Sequence, residues 1–350
     1  MKGLSEPFKG SADIFMKKEA TAFPIDFVIP WVDGSDVRWL TERDKYQAPA
    51  SAKSDVRFRD WDNLRYWFRG IEENSPWVRK IHFITWGHIP KWLNTGHPKL
   101  QIVKHTDYIP QQYLPTFNSH VIELNLHRIP GLSEHFVYFN DDVFLIKRVK
   151  TSDFFKDDKP CDTFALNCIF FGFDSAGHIH GNDIEIINSH FEKRQIQRNS
   201  RFLWLDPRNG LRNIAKTLLL SPWPWFPGFY YQHLANSYCK STLEKVWQLE
   251  PAVLDQTCQC RFRQNTNVNQ WIFKFWQLAE GNFYPRSNTF GHCYHLKDSN
   301  YSEACSNIIK SRYSMICLND TARTTDFENK KEGIMRAFQN RFPQKSSFEL

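Results

Sequence analysis

Four short, mostly apolar runs punctuate the first half of the chain: Ile25 to Ile29, Lys80 to Thr85, Gln101 to Lys104, and His135-Phe136-Val137-Tyr138-Phe139. Runs of this length suit strands covered on both faces of a parallel sheet. Between them the period changes. Leu64, Trp67, Phe68 and Ile71 fall at i, i+3, i+4 and i+7, so the stretch from Arg57 to Glu72 predicts a helix with one buried stripe. Val37 to Lys45 predicts another, with Ser35 or Asp36 as its cap, and His120 to Ile129 a third, ended by Pro130-Gly131. The segment holding Trp86-Gly87 and Ile89 to Leu93 is short enough for a right-handed crossover. The resulting order, β-α-β-α-β-α-β, predicts a Rossmann-like, mostly parallel α/β sheet with helices on both faces.

Elsewhere the pattern thins. Met1 to Ala22 is polar, charged and interrupted by Gly3, Pro7 and Gly10, which predicts a loosely held leader. Ala48 to Lys53 reads as a small-residue linker. Asp206-Pro207 opens a predicted basic helix through Leu220, carrying Arg208, Arg212 and Lys216. Ser221 to Tyr231 is too rich in proline for regular structure, and Gln232-His233-Leu234 starts a predicted helix running to Glu250. Cys317-Leu318-Asn319-Asp320-Thr321 predicts a strand ending in Asn-Asp.

The candidate chemistry sits where apolar runs stop. The run ending at Phe139 breaks at Asn140-Asp141-Asp142 and resumes at Val143 to Ile146. The carboxyl edge of an open α/β sheet is where ligands bind, and adjacent acids there suit a hard divalent cation carrying a phosphate. A plain Asn-Asp turn between two edge strands fits the same residues. After the first run, Trp31-Val32-Asp33-Gly34-Ser35-Asp36 places two acids around a glycine that lets the backbone come close to a ligand; an Asx turn ahead of a helix fits equally well. Arg57, Arg59 and Arg65 are available for phosphate, or simply solvate their helix. Glu123 lies among Val121, Ile122, Leu124 and Leu126, and either turns inward or stays in water.

Composition narrows the classes. The 350 residues, 41% hydrophobic and 16% aromatic, can bury a large core. The net charge of +7 fits an anionic substrate or a membrane surface and is too small to argue for nucleic acid. No secretory signal opens the chain and no apolar run approaches the ~18 residues of a membrane span, so the expectation is a cytoplasmic protein. The 8 Cys show no paired CxxC spacing, which speaks against a zinc ribbon or a disulfide framework and leaves Cys258 and Cys260 as ordinary thiols.

Four motifs taken together carry a family resemblance. Trp31 to Asp36, then Arg57-Phe58-Arg59-Asp60 with Leu64-Arg65-Tyr66 and Ile71-Glu72, then Leu114-Pro115-Thr116-Phe117-Asn118-Ser119, then Asn140 to Phe144 resemble, in order, the first two conserved regions of the Stealth family. Its members are sugar-1-phosphate transferases, among them bacterial capsule and exopolysaccharide enzymes and the animal GlcNAc-1-phosphotransferase. Later, His233 resembles the histidine of a His-x-Pro pattern whose proline is here Ala235. Arg261-Phe262-Arg263 resembles the Phe-Arg element that follows, and Cys317 to Thr321 the family's fourth region.

The resemblance implies a UDP-sugar donor at Trp31, Asp33, Gly34, Ser35 and Asp36, with Arg57, Arg59 and Arg65 near its diphosphate. It also implies Mg²⁺ or Mn²⁺ at Asp141, Asp142, Asn319 and Asp320, with His233, Asp142, Glu123 and Arg263 as catalytic groups. The acceptor would be a saccharide or a lipid-linked oligosaccharide, with possible peripheral contact at the inner face of the cell membrane. The expected organisation is a leader over 1–22, a nucleotide-sugar-binding half over 23–150, an inserted helical acceptor-side lobe over 151–231, and a completing half over 232–350. A metal-dependent glycosyltransferase releasing UDP is the competing enzyme. A non-catalytic polyanion-binding module is the competing binder, and it has no use for Asp33, Asp36, Asp141 and Asp142 together. The aromatic loop Trp223 to Tyr231 reads either as a membrane-interface anchor or as cleft lining.

Overall fold

The computed structural model describes residues 23–46, 59–172, 176–320 and 326–350. The expected leader, the Ala48–Lys53 linker, Arg57 and Thr321 lie outside them. The central sheet has five strands in the order β3-β2-β1-β4-β8. β1 (Ile25–Pro30), β2 (Ile81–Thr85), β3 (Leu100–Lys104) and β4 (His135–Tyr138) are mutually parallel where they pair. Side chains alternate across β1: Ile25, Phe27 and Ile29 enter one core and Val28 the other. Both faces of β1, β2 and β4 are covered, which is why these strands read as mostly apolar runs.

One core includes residues of α2 (Leu64–Asn74), α12 (Tyr301–Lys310) and α13 (Phe327–Arg341). Leu64, Trp67, Phe68 and Ile71 of α2 are all buried, as the stripe predicts. The helix itself begins at Leu64, so Arg59 lies in the extended approach to it. α2 can lie close because residue 70 is glycine: a Cβ there would meet the carbonyl oxygen of Leu145 at 2.6 Å. The other core takes residues of α4 (Ser119–Leu124), α5 (Gly177–His190), α9 (Lys240–Leu249), α10 (Pro251–Cys258) and α11 (Trp271–Glu280). The remaining short helices are α1 (Val37–Asp44), α3 (His105–Tyr108), α6 (Lys193–Asn199), α7 (Arg201–Trp204) and α8 (Leu211–Leu220).

Two small sheets complete the molecule. β5 (Val143–Leu145) pairs antiparallel with β11 (Met315–Asn319), which pairs parallel with β10 (Gly291–His295). β7 (Lys159–Asp162) lies between β6 (Phe155–Lys156) and β9 (Tyr284–Pro285). The Asn140-Asp141-Asp142 turn therefore joins an interior strand of the central sheet to an edge strand of a second sheet.

Three expectations are corrected. The β2–β3 connection holds no helix among the described residues; turns carry it. The basic helix from Asp206 is broken, because Gly210 sits at φ +82° between a short 3-10 turn (Pro207–Asn209) and α8. The helix expected from Gln232 is instead a strand, β8 (Asn236–Cys239), antiparallel to β4, and only then α9. The open edge of β4 needs a hydrogen-bonding partner, and that need overrides local propensity. α11 meets β8 at both backbone and side chain: Lys274 Nζ donates to Asn236 Oδ1 (3.0 Å) and Gln277 to the Ser237 carbonyl (3.1 Å), while the buried Ser237 hydroxyl has no partner.

Candidate active site

β1 and β4 are parallel neighbours, so Asp33 and Asp142 emerge at the same carboxyl edge of the sheet. At the end of β1 the loop is held by its own acids. Asp33 Oδ1 accepts from the amide and hydroxyl of Ser35 at 2.9 and 2.6 Å, with Gly34 between them. Asp36 caps α1 by accepting from Arg38 N (2.8 Å) and Trp39 N (3.4 Å), and takes the Arg38 guanidinium at 3.0 Å. The bond from Arg38 and the two cap amides hold the Asp36 carboxyl down, to about 2. Asp33 N donates to His88 Nε2 at 2.8 Å, which places the imidazole proton on Nδ1, 3.5 Å from Asp36. Burial pushes the His88 pKa down, in keeping with this neutral ring. Trp31 packs edge-on against His88 with ring centroids 5.2 Å apart. The Asx-turn and N-cap reading of this loop is thus realised, and the loop is a rigid rim.

Asp142 occupies the turn after β4. Its Oδ2 lies 3.4 Å from His233 Nε2 and accepts from Cys317 Sγ (3.4 Å) and Asn319 Nδ2 (3.5 Å). Its Oδ1 is buried and has no partner. Burial pushes both members of the Asp142–His233 pair toward their uncharged forms, raising the Asp142 pKa and lowering that of His233, but the opposite charges win: Asp142 is held low and His233 rises to about 9. The pair is an ion pair at neutral pH. Asn140 Nδ2 sits 3.2 Å from the same His233 nitrogen. Asp141 points outward; the surrounding protein and then the charge of Asp142 push it up to about 7.

The other expected residues divide. Glu123 is buried on α4, 5% exposed, where Gln270 N donates to Oε2 (3.3 Å) and the Tyr138 hydroxyl to Oε1 (3.5 Å). Burial raises its pKa and the charge of Arg263 partly offsets this. Arg263 reaches the N-terminus of the same helix, donating to Ser119 Oγ at 2.5 Å. Phe117 stacks on Phe262 at 5.5 Å, so the Leu114–Ser119 and Arg261–Arg263 motifs meet. Arg59, by contrast, is committed to Asp320: its Nε and Nη2 donate to the two carboxylate oxygens at 2.9 and 2.8 Å, and Trp61 Nε1 adds a third bond at 3.2 Å. Arg59 and Asp320, expected near phosphate and metal respectively, are in this structure held by each other. Arg65 lies over the Trp92 ring at 5.7 Å.

The groups that fit a divalent cation are therefore Asp142, whose free Oδ1 needs a partner, with Asn319 beside it. Asp142, His233 and Cys317 also offer ligand atoms within 4.8 Å of one another. Cys317 is a residue that pattern reading missed, and a signal for it existed: it lies two positions before Asn319 in one strand, hence on the same face. His88, His180 and Asp183 were also missed. Asp183 is fully buried on α5, accepts from Asn269 N (3.1 Å), and keeps its Oδ2 without a partner. A small crevice of about 20 Å³ adjoins the site, lined by Gln232, Leu234 and Asn236 with Lys274, Asp162 and Arg286. It is centred on the Lys274–Asp162 ion pair (3.0 Å) and does not include Asp142.

Known proteins resemble this chain over nearly its full length. The models for Stealth protein conserved regions 1 and 2 match residues 23–48 and 57–162. A capsular polysaccharide phosphotransferase, WcwK, of Streptococcus pneumoniae is 41% identical over 330 residues, covering 93% of this chain and 98% of that protein. A receptor polysaccharide phosphotransferase, WefC, of Streptococcus oralis is 38% identical over 332 residues, covering 93% and 99%. An exopolysaccharide phosphotransferase, cps2G, of Lactiplantibacillus plantarum is 37% identical over 337 residues, covering 96% and 99%.

Proposed function

The chain belongs to the Stealth family, and from that premise we propose that it is a polysaccharide phosphotransferase moving a hexose- or N-acetylhexosamine-1-phosphate from a UDP-sugar to a saccharide hydroxyl. The observation that carries the reading is the buried, unpartnered Oδ1 of Asp142 beside His233, at the sheet edge where the Trp31–Asp36 and Asn140–Phe144 motifs meet. The acceptor oxygen attacks the β-phosphorus, the bond from that phosphorus to the bridging oxygen breaks, and UMP leaves with the electron pair. The sugar C1–O bond stays intact, so the anomeric configuration is retained. His233 receives the hydroxyl proton. It can do so only once neutral, and the charge of Asp142 is what keeps it protonated; whatever neutralises Asp142 releases the base.

Asp142 and Asn319 would hold Mg²⁺ or Mn²⁺, which when bound supplies neutralisation of the donor's diphosphate. Arg263, anchored at Ser119 and facing Glu123, offers a fixed guanidinium for the same purpose. A lipid-linked oligosaccharide would bring the acceptor to the inner face of the cell membrane. The protein would work there peripherally, since no described helix is long and apolar enough to cross a membrane. Chromatography of the spent nucleotide tests the reaction. UMP is the expected product, and UDP would make the protein a metal-dependent glycosyltransferase.

A further inference from the structure

Helix α8 turns Asn213 and Thr217 inward and leaves Leu211, Leu218 and Leu219 in water. On the inner side, Thr217 Oγ1 accepts from the amide of Leu166 (3.0 Å) and Asn213 donates to the carbonyl of Asn209 (2.9 Å). On the outer side, Leu211, Leu218 and Leu219 are 87%, 56% and 71% exposed. Leu211, Ala215 and Leu218 follow at i, i+4 and i+7, all exposed, so the apolar stripe is continuous along the helix. Trp223 and Trp225, 56% and 62% exposed, come directly after it.

This display is enforced by anchors. The Lys193 ammonium donates to the carbonyls of Leu220, Ser221 and Trp223 at 2.9, 3.0 and 2.6 Å, closing the C-terminal end of α8. Beyond the tryptophans, Phe226 and Phe229 are buried. The loop expected to be either membrane anchor or cleft lining is thus split: its first half faces out, its second half packs inward. Single exposed leucines need no explanation, but a contiguous apolar stripe marks an interaction surface.

Charge identifies the occupant. Residues 191–225 hold seven Lys and Arg against two Asp and Glu, a net +5 out of the chain's +7. Arg194, Arg198 and Arg212 are exposed. Two such faces would repel each other, which disfavours a second copy of the chain, whereas an apolar stripe flanked by arginines and tryptophans matches the boundary of an anionic bilayer. We propose that α8 and the Trp223–Trp225 turn dock onto a membrane surface containing anionic phospholipid. The leucines and indoles enter the headgroup boundary and the arginines pair with lipid phosphates. This deepens the reading of a lipid-linked acceptor, but its test does not depend on the reaction.

Flotation of the full chain with vesicles of phosphatidylglycerol and phosphatidylcholine tests it. The wild type is expected to float, and to bind at least ~10-fold more weakly to phosphatidylcholine alone. The variants Leu211→Gln/Leu218→Gln/Leu219→Gln and Trp223→Ala/Trp225→Ala are each expected to lose ~10-fold or more in vesicle affinity. Thermal unfolding and turnover of a soluble saccharide acceptor should be unchanged, because these side chains are outside the site. No flotation of the wild type, or undiminished flotation of both variants, overturns the proposal. A wild-type dimer that the leucine substitutions convert to monomer overturns it too, by giving the stripe to a second copy. UMP release is read on the same samples, so a failed reaction and a failed docking surface are told apart.

Discussion

Asp26 and Asp142 are two acids at opposite ends of adjacent strands, and the fold treats them in opposite ways. Asp26, inside β1 and fully buried, accepts from Arg79 Nε (2.8 Å) and Nη2 (2.5 Å), from His82 Nε2 (3.0 Å) and from the Ser133 amide (2.9 Å). Burial raises its pKa, the bonds from His82 and Arg79 outweigh that, and the net is downward. Asp142 is likewise held down against burial, chiefly by His233, yet one of its oxygens has no partner. A buried polar atom left unpaired costs ~1–3 kcal/mol, and where that atom belongs to an ionised carboxylate at the carboxyl edge of the sheet it is suited to a ligand. A carboxylate with both oxygens satisfied marks the structural end of the sheet, and one with an oxygen left open its working end.

The contrast breaks or stands on two substitutions. Asp142→Asn preserves shape and removes the charge; turnover is expected to fall by ~100-fold or more, with little change in thermal stability. Full activity of that variant in a chelator would remove Asp142 and its cation from the reaction. Asp26→Asn should do the reverse, lowering stability by ~2–3 kcal/mol while the folded fraction turns over normally. Arg79 is 40% exposed and regains water when its partner goes, which keeps the loss in this range. The pH dependence follows from the sign of the shift. Because the folded pKa of Asp26 lies below the ordinary carboxyl value of 3.8, its contribution is complete above that value and is lost as pH falls through the folded pKa. Urea unfolding of wild type and variant should therefore differ by a constant amount above about pH 5 and converge in acid. A gap that persists undiminished in acid would assign the stabilisation to another group.

What could be read ahead of the structure was what local pattern determines. β1, β2 and β4 are covered on both faces, so their residues are mostly apolar, and α2 announces itself by one stripe. Asp36 caps α1 through amides two and three residues on. What could not be read depends on distant partners. Asn236 and Ser237 belong to a strand only because Lys274 and Gln277 wait on α11 to satisfy them. Asp320 looks like a metal ligand in a strand-end Asn-Asp until Arg59, 261 positions away, takes both its oxygens. Glu123 was legible only as an open alternative, since its apolar neighbours suit an inward side chain while a helix glutamate usually stays in water.

Glu123 lies between the two cases, because both its oxygens have partners but the pairing is neutral and long. Glu123→Gln keeps an acceptor for Gln270 N and removes the charge that faces Arg263. If Glu123 positions Arg263 for the donor, kcat should fall ~10-fold with donor KM changed much less, and stability should hold or rise slightly because a buried charge has been removed. Unchanged kinetics with altered stability would make Glu123 a packing residue.

The smallest effect is expected from Arg59→Lys, and it tests on which side of the contrast the Arg59–Asp320 pair belongs. The guanidinium holds Asp320 by a two-pronged bond and lies 4.6 Å from the Phe327 ring, geometry that a lysine cannot reproduce although it keeps the charge. The pair is partly open to water, with side-chain exposures of 25% and 13%, so losing the fork should cost about 1 kcal/mol or less. If Arg59 is a brace, as the Asp26 network is, donor KM should rise no more than ~3-fold and kcat should hold. If it releases Asp320 to grip a diphosphate, the lost bidentate contact should raise donor KM ~10-fold or more. That outcome would return Asp320 to the cation-binding groups beside Asp142, and the working end of the sheet would then include a pair that in this structure completes itself.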